Sequence, residues 1–228
     1  MPRSPNNTEI FFEVGEKRVF AGALHWPAWC RSGRDEALAV QSLLDYGPRY
    51  AQILQSTGLV FEAPGAASQF QIVERVDGNA TTDFGAPDAS LSSDKEPVEP
   101  DELERFQTIL QSCWVAFDQA VKRAEGRQLR KGPRGGGRDL EGIIDHVLMA
   151  DESYLKRIGW KAVDAEEDVD KRLHQIRSEI LDGLEASARG ELPARGPRGG
   201  KRWTARFFVR RVAWHVVDHA WEIEDRVN

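Results

Sequence analysis

Residues 210–226 read RRVAWHVVDHAWEIEDR, with histidines at positions 215 and 219. Phe208, Val212, Val216 and Ile223 recur at helical steps through and around this string, which predicts an amphipathic helix over about residues 203–226. Residues four apart share one helix face, so His215 and His219 stack one turn apart, with Cβ atoms about 5–6 Å from each other. Both fall in step with the apolar stripe and should face a core. Two imidazoles in a core are costly unless something takes their lone pairs. A metal ion does so, at about 2.0–2.1 Å from each nitrogen. A carbonyl or carboxylate also satisfies a core histidine, and the spacing alone leaves both readings open.

Three more helical patterns precede this one. Leu103, Phe106, Leu110, Cys113, Phe117 and Val121 mark a helix over about residues 101–125. Leu140, Ile143, Val147, Tyr154 and Ile158 mark a second over about 139–158, with Asp139 as its cap. Val169, Leu173, Ile176, Ile180 and Leu184 mark a third over about 166–188. Four amphipathic helices can bury their stripes against one another as a bundle. The string GPRGG stands at 132–136 before the second helix and at 196–200 before the last. It marks either two equivalent helical hairpins or two independent turns.

Upstream the pattern changes. Residues 77–100 are rich in Asp, Ser, Pro and Gly and nearly free of large apolar groups. They read as a linker or long surface loop, and as the first site of limited proteolysis. Before it, Ile10 to Val14 and Arg18 to Leu24 read as two strands joined by a turn at Gly15, Glu16 and Lys17. Pro27 rules out a central strand through His25–Cys30. Asp35 can cap a helix from about Glu36 to Leu44, and a second helical piece follows Pro48, with Tyr50, Ile53 and Leu54 facing inward. Phe70 to Val76 reads as a further strand. Trp26 and Trp29 either line a pocket or partner surface or belong to the core. The expected class is α+β: a small α/β domain over 1–76, a linker over 77–100 and an all-α four-helix bundle over 101–228.

The chain carries a net charge of −6. Residues 1–100 hold 8 Lys and Arg against 14 Asp and Glu, and the remainder holds 23 of each. That is not the basic field that nucleic-acid binding needs, so nucleic acid is not an expected partner. No apolar run approaches the roughly 18 residues of a membrane span. The stretch MPRSPNNTEIFFEVGE lacks the apolar region of a signal peptide, and a cytoplasmic location is expected. The two cysteines, Cys30 and Cys113, are too few for a disulfide framework and are expected to be reduced, with Cys113 serving as a small buried hydrophobe.

His146, in EGIIDHVLMADESYL, lies at the edge of the stripe of the second bundle helix. With His215 and His219 it makes a three-histidine set, the pattern of a metal site that keeps a position open. His174 is expected to face solvent, and His25 has no helical partner. The I-x-D-H-V string around His146, followed in the last helix by H-x-x-x-H with aromatic and acidic neighbours, resembles the DinB-like (YfiT-like) superfamily over residues 101–228. That resemblance implies a four-helix bundle holding a divalent metal, zinc or nickel, on His146, His215 and His219. It also implies, for some branches, transfer reactions that use mycothiol, bacillithiol or a related small thiol. The expected function is therefore a thiol-dependent S-transferase or related metalloenzyme acting on a small thiol and an electrophile. The alternatives are a non-catalytic metal-stabilised binding protein and a metal-dependent hydrolase. A homodimer is left open.

Two further site expectations accompany these. Arg134 and Arg198, with Arg138 and Arg202, flank the N-termini of two bundle helices and suit the carboxylates of a thiol cofactor, or else are solvated. Glu222, one turn beyond His219, suits a ligand-orienting or base role, or else a surface position. Asp145, adjacent to His146, diverges from it by about 100° on a helix. For the N-terminal domain, Leu24–Cys30 followed by Ser32–Ala37 resembles HicB-like proteins, a strand ending in a proline turn, a Ser/Gly loop and a helix. No helix-turn-helix or ribbon-helix-helix segment follows it, so no DNA-binding role is carried over.

Overall fold

The computed structural model describes residues 7–131, 137–161 and 168–227. The chain forms two units, residues 1–93 and 94–228. It is mixed α and β, with the sheet in the first unit and the long helices of the second following it.

The two Phe-bearing runs become β1 (Thr8–Val14) and β2 (Val19–Ala23), paired antiparallel with Ile10 opposite Ala23 and Val14 opposite Val19. Gly22 faces Phe11, whose ring occupies the space a Cβ on Gly22 would need. Cys30 to Gly33, expected as a loop, is instead a third strand, β3 (Cys30–Gly33), antiparallel to β2. β2 ends at Ala23, ahead of Pro27, and no strand runs through His25–Ala28. But Ala28 adopts a φ of 79°, which turns the chain back at once, and Ala23 N donates to Trp29 O at 2.9 Å. Positive φ is strained for a residue with a Cβ, and this one is held in a buried turn. β4 (Phe70–Asp77) then adds parallel to β1, giving the order β3-β2-β1-β4.

The crossover contains α1 (Glu36–Leu54), which packs over β2 and β3 and is capped by Asp35, whose side chain accepts from Leu38 N at 2.8 Å. It is one helix, not the two pieces expected on either side of Pro48. Proline removes one ladder hydrogen bond. Here tertiary contacts outweigh that loss: Leu43, Gly47, Tyr50 and Leu54 are buried, Trp29 Nε1 donates to Leu43 O at 2.9 Å, and Tyr50 OH donates to Pro27 O at 2.7 Å. Trp29 is fully buried and stacks with Tyr50 at 6.0 Å, so it is core. Trp26 is half-buried, edge-on to Phe61 at 4.9 Å.

Residues 77–93 are not a linker. They form the end of β4, the short helix α2 (Ala80–Phe84) and a return path in which Thr82 and Leu91 are buried. What anchors them is polar, which a count of apolar groups misses. Glu13, wholly buried on β1, accepts from Thr82 Oγ1, from Asp88 N at 2.8 Å and from Ala89 N at 3.0 Å. We expect Glu13→Ala to destabilise this unit by about 3 kcal/mol, because the buried Thr82 hydroxyl and the part-buried amides of Asp88 and Ala89 lose their acceptor. Residues 78–91 should then become protease-sensitive while remaining protected in the parent chain. Cleavage of the parent within 78–91 at the same rate would show that Glu13 does not anchor this segment.

The second unit consists of α3 (Pro100–Ala124), α4 (Leu140–Ile158), α5 (Val169–Ala188) and α6 (Ala205–Arg226), close to the four predicted spans. Side-chain caps from Asp139, Asp168 and Thr204 open the last three, and Gly159 ends α4 with φ of 90°. α6 packs against α3, α4 and α5, and α4 against α5. Phe106, Leu110, Phe117, Ile143, Leu155, Ile180, Leu184, Phe208 and Val212 form its apolar interior. Ion pairs tie neighbours together: Arg206 with Glu102, Arg177 with Asp118 at 2.6 Å, and Arg172 with Glu152. The two cysteines are not joined, and burial pushes the Cys113 thiol far up, away from reactivity. Among the described residues, no helix is long and apolar enough to cross a membrane.

Candidate metal centre

α6 is buried around most of its circumference, so the face bearing His215 and His219 lies in the interior of its unit. The two residues are 6% and 8% exposed, with ring centroids 4.6 Å apart. α4 presents His146 from the adjacent helix, half-buried at the edge of the stripe formed by Ile143 and Val147. Its ring centroid is 5.0 Å from that of His215 and 4.9 Å from that of His219, so the three rings form a triangle. One ligand atom from each lies within 4.8 Å of the others.

The nitrogen spacing would fit a shared ion or a direct imidazole–imidazole hydrogen bond. His146 Nε2 and His215 Nε2 are 3.2 Å apart, while two nitrogens bound to one tetrahedral ion are about 3.3–3.4 Å apart. His219 Nδ1 meets Glu222 Oε2 at 2.7 Å, which leaves its Nε2 for the centre. Glu222 Oε1 accepts from Arg226 Nη1 at 2.5 Å, and Arg226 is itself fixed on the carbonyls of Arg130 and Arg138. Both carboxylate oxygens are thus engaged, and the His219 hydrogen bond holds Glu222 below the usual carboxylate range. That suits orienting a ligand histidine rather than accepting a proton. Glu222→Gln should weaken zinc affinity by about 10–100-fold, read by competition with a chromogenic chelator. An unchanged affinity would reduce Glu222 to a surface ion pair.

The electrostatics disfavour protonation. Burial, reinforced by the charges of His219 and Arg138, lowers His146 to about 4. Burial, then His219, His146, Arg211 and Arg138, pushes His215 well below its ordinary value. Neutral imidazoles are the ligand form, so proton competition is weak near neutrality. The set fits a borderline divalent ion such as zinc or nickel: three nitrogens and, within this group, no carboxylate or thiolate.

The other expected residues lie elsewhere. Arg134 falls outside the described residues. Arg198 is exposed in the loop before α6, and His215 lies about 15 Å along the helix from its first turn. Arg138 is instead the loop arginine whose charge acts on His146 and His215. His174 and Asp145 are exposed, and His25 pairs with Glu9 at 2.8 Å in the first unit. A cavity of about 490 Å³ opens beside Ile158, Lys201, Arg202 and Trp203, but none of the three histidines lines it. Sequence reading missed Arg211, a buried arginine one turn before His215. Its i−4 spacing from that histidine was the available signal.

The chain matches no family model, no curated protein and no solved structure, so this geometry is the ground on which its function is argued.

Proposed function

We propose that residues 101–228 form a DinB-like metal-binding bundle and that the chain is a small-thiol-dependent S-transferase. The observation that carries this is the convergence of His146, His215 and His219 from two adjacent helices, with burial favouring the neutral form of His146 and His215. These three would hold a divalent ion, zinc or nickel, with Glu222 orienting His219. Such an ion supplies Lewis acidity that favours the thiolate form of a thiol at neutral pH. Half-exposed His146 is the ligand on the open side, where mycothiol or bacillithiol would approach. The sulfur forms a bond to an electrophilic carbon, the leaving group departs with its electron pair, and the thiol proton passes to solvent.

Purification without a nickel column, followed by elemental analysis, should give close to one divalent metal per chain. Mycothiol or bacillithiol with chlorodinitrobenzene should then give conjugate and chloride, with the rate lost in His146→Ala while the helical spectrum is kept. Metal without turnover for any thiol would favour the second reading, a metal-stabilised binding protein. The burial of His215 and His219 to under a tenth exposure is the observation on that side.

For the first unit, the order β1, β2, proline turn, β3 and α1 is what supports the HicB-like likeness, without a DNA-binding role. Small molecules are the partners this reading calls for, in the cytoplasm.

A further inference from the structure

Arg211 lies on α6 one turn before His215, on the same helix face, and is 8% exposed. Its Nε and Nη1 are buried without any hydrogen-bond partner. Among the described residues no carboxylate pairs with it, whereas Arg206 and Arg210 on the same helix hold Glu102 and Asp94. The guanidinium lies 5.2 Å from the ring centroids of both Tyr154 and Trp214. Tyr154 in turn meets the His215 ring, with centroids 5.7 Å apart. The arginine therefore lies between aromatics beside the histidines, with its Nε and Nη1 donors unspent.

A buried, permanently charged group without an anion is costly, and folding alone gives no return for it here. An anion arriving with a ligand would supply the missing partner. Flat aromatic walls and a planar guanidinium suit a planar carboxylate on an apolar group better than a tetrahedral, strongly hydrated phosphate.

We infer that Arg211, with Tyr154 and Trp214, forms a carboxylate subsite beside the three histidines, so that the electrophilic substrate is an organic acid. In calling the ligand a substrate this rests on the S-transferase reading; the subsite itself does not need the metal. The test is calorimetric titration of the full chain with benzoate, benzyl alcohol and inorganic phosphate, both after chelator dialysis and after zinc loading. Saturable benzoate binding is expected in both forms, at least tenfold weaker in Arg211→Met, with benzyl alcohol failing to bind and zinc content unchanged in the variant. Arg211→Gln replaces the methionine variant if that one does not fold, and the comparison of benzoate with benzyl alcohol needs no variant at all. Equal binding of benzoate and benzyl alcohol, tighter binding of phosphate than of benzoate, or undiminished benzoate affinity in the folded variants would overturn the subsite. Benzoate binding in a chain that takes up no zinc would support the subsite and sink the metal reading. Zinc uptake without benzoate binding would do the reverse.

Discussion

Replacing both His215 and His219 by alanine should abolish divalent-metal uptake and erase the metal dependence of the melting curve. In the parent chain, an ion that binds only the folded state stabilises it by RT ln(1 + [M]/Kd), about 4 kcal/mol at a thousand times Kd. The variant should show no shift between zinc and chelator. In chelator it should stay folded, because the apolar residues of α3 to α6 still bury one another. It also loses the burden of His215, whose Nδ1 is buried without a hydrogen-bond partner. Elemental analysis after dialysis and paired melts decide the matter. Metal content equal to that of the parent would mean that the ligands lie elsewhere.

Replacing Asp151 by the neutral asparagine should stabilise the protein increasingly as pH rises above about 4. Asp151 is 2% exposed on α4, its Oδ1 has no hydrogen-bond partner, and burial raises its pKa to about 8. In the unfolded chain the same group titrates near 3.9. Between these values the folded chain holds a proton that the unfolded chain has released, so stability falls as pH rises. The slope from this one group approaches about 1.4 kcal/mol per pH unit at most. It vanishes below the unfolded value, where both states are protonated. Asp151→Asn should therefore nearly match the parent near pH 4, exceed its stability by about 5 kcal/mol at pH 8, and flatten the profile between. Parallel profiles for parent and variant, from urea unfolding across that range, would show that Asp151 is ionised in the folded state. Its neighbour Glu152 turns outward to Arg172.

The four long helices and the histidine triangle were legible in the linear chain because both depend on the 3.6-residue period. Periodicity places Phe208, Val212, Val216 and Ile223 on one face without any knowledge of neighbours, and it carries His215 and His219 with them. His146 could be linked to that pair only by assuming that its helix is adjacent, and packing of α4 on α6 supplies that adjacency. Glu222 was visible as a neighbour of His219, but the engagement of both its oxygens by His219 and Arg226 was not. Contacts with no period stayed hidden. Strand β3 is short, polar and paired only because Ala28 turns the chain back. Helix α1 continues through Pro48 because the buried Trp29 and Tyr50 hold it. Residues 78–91 are ordered by one buried carboxylate, Glu13, some seventy residues away in sequence. Local pattern thus determined where the helices lie and which face carries the histidines. Tertiary structure decided which polar groups are buried and by whom they are met, because desolvation and hydrogen bonding depend on partners distant in the chain.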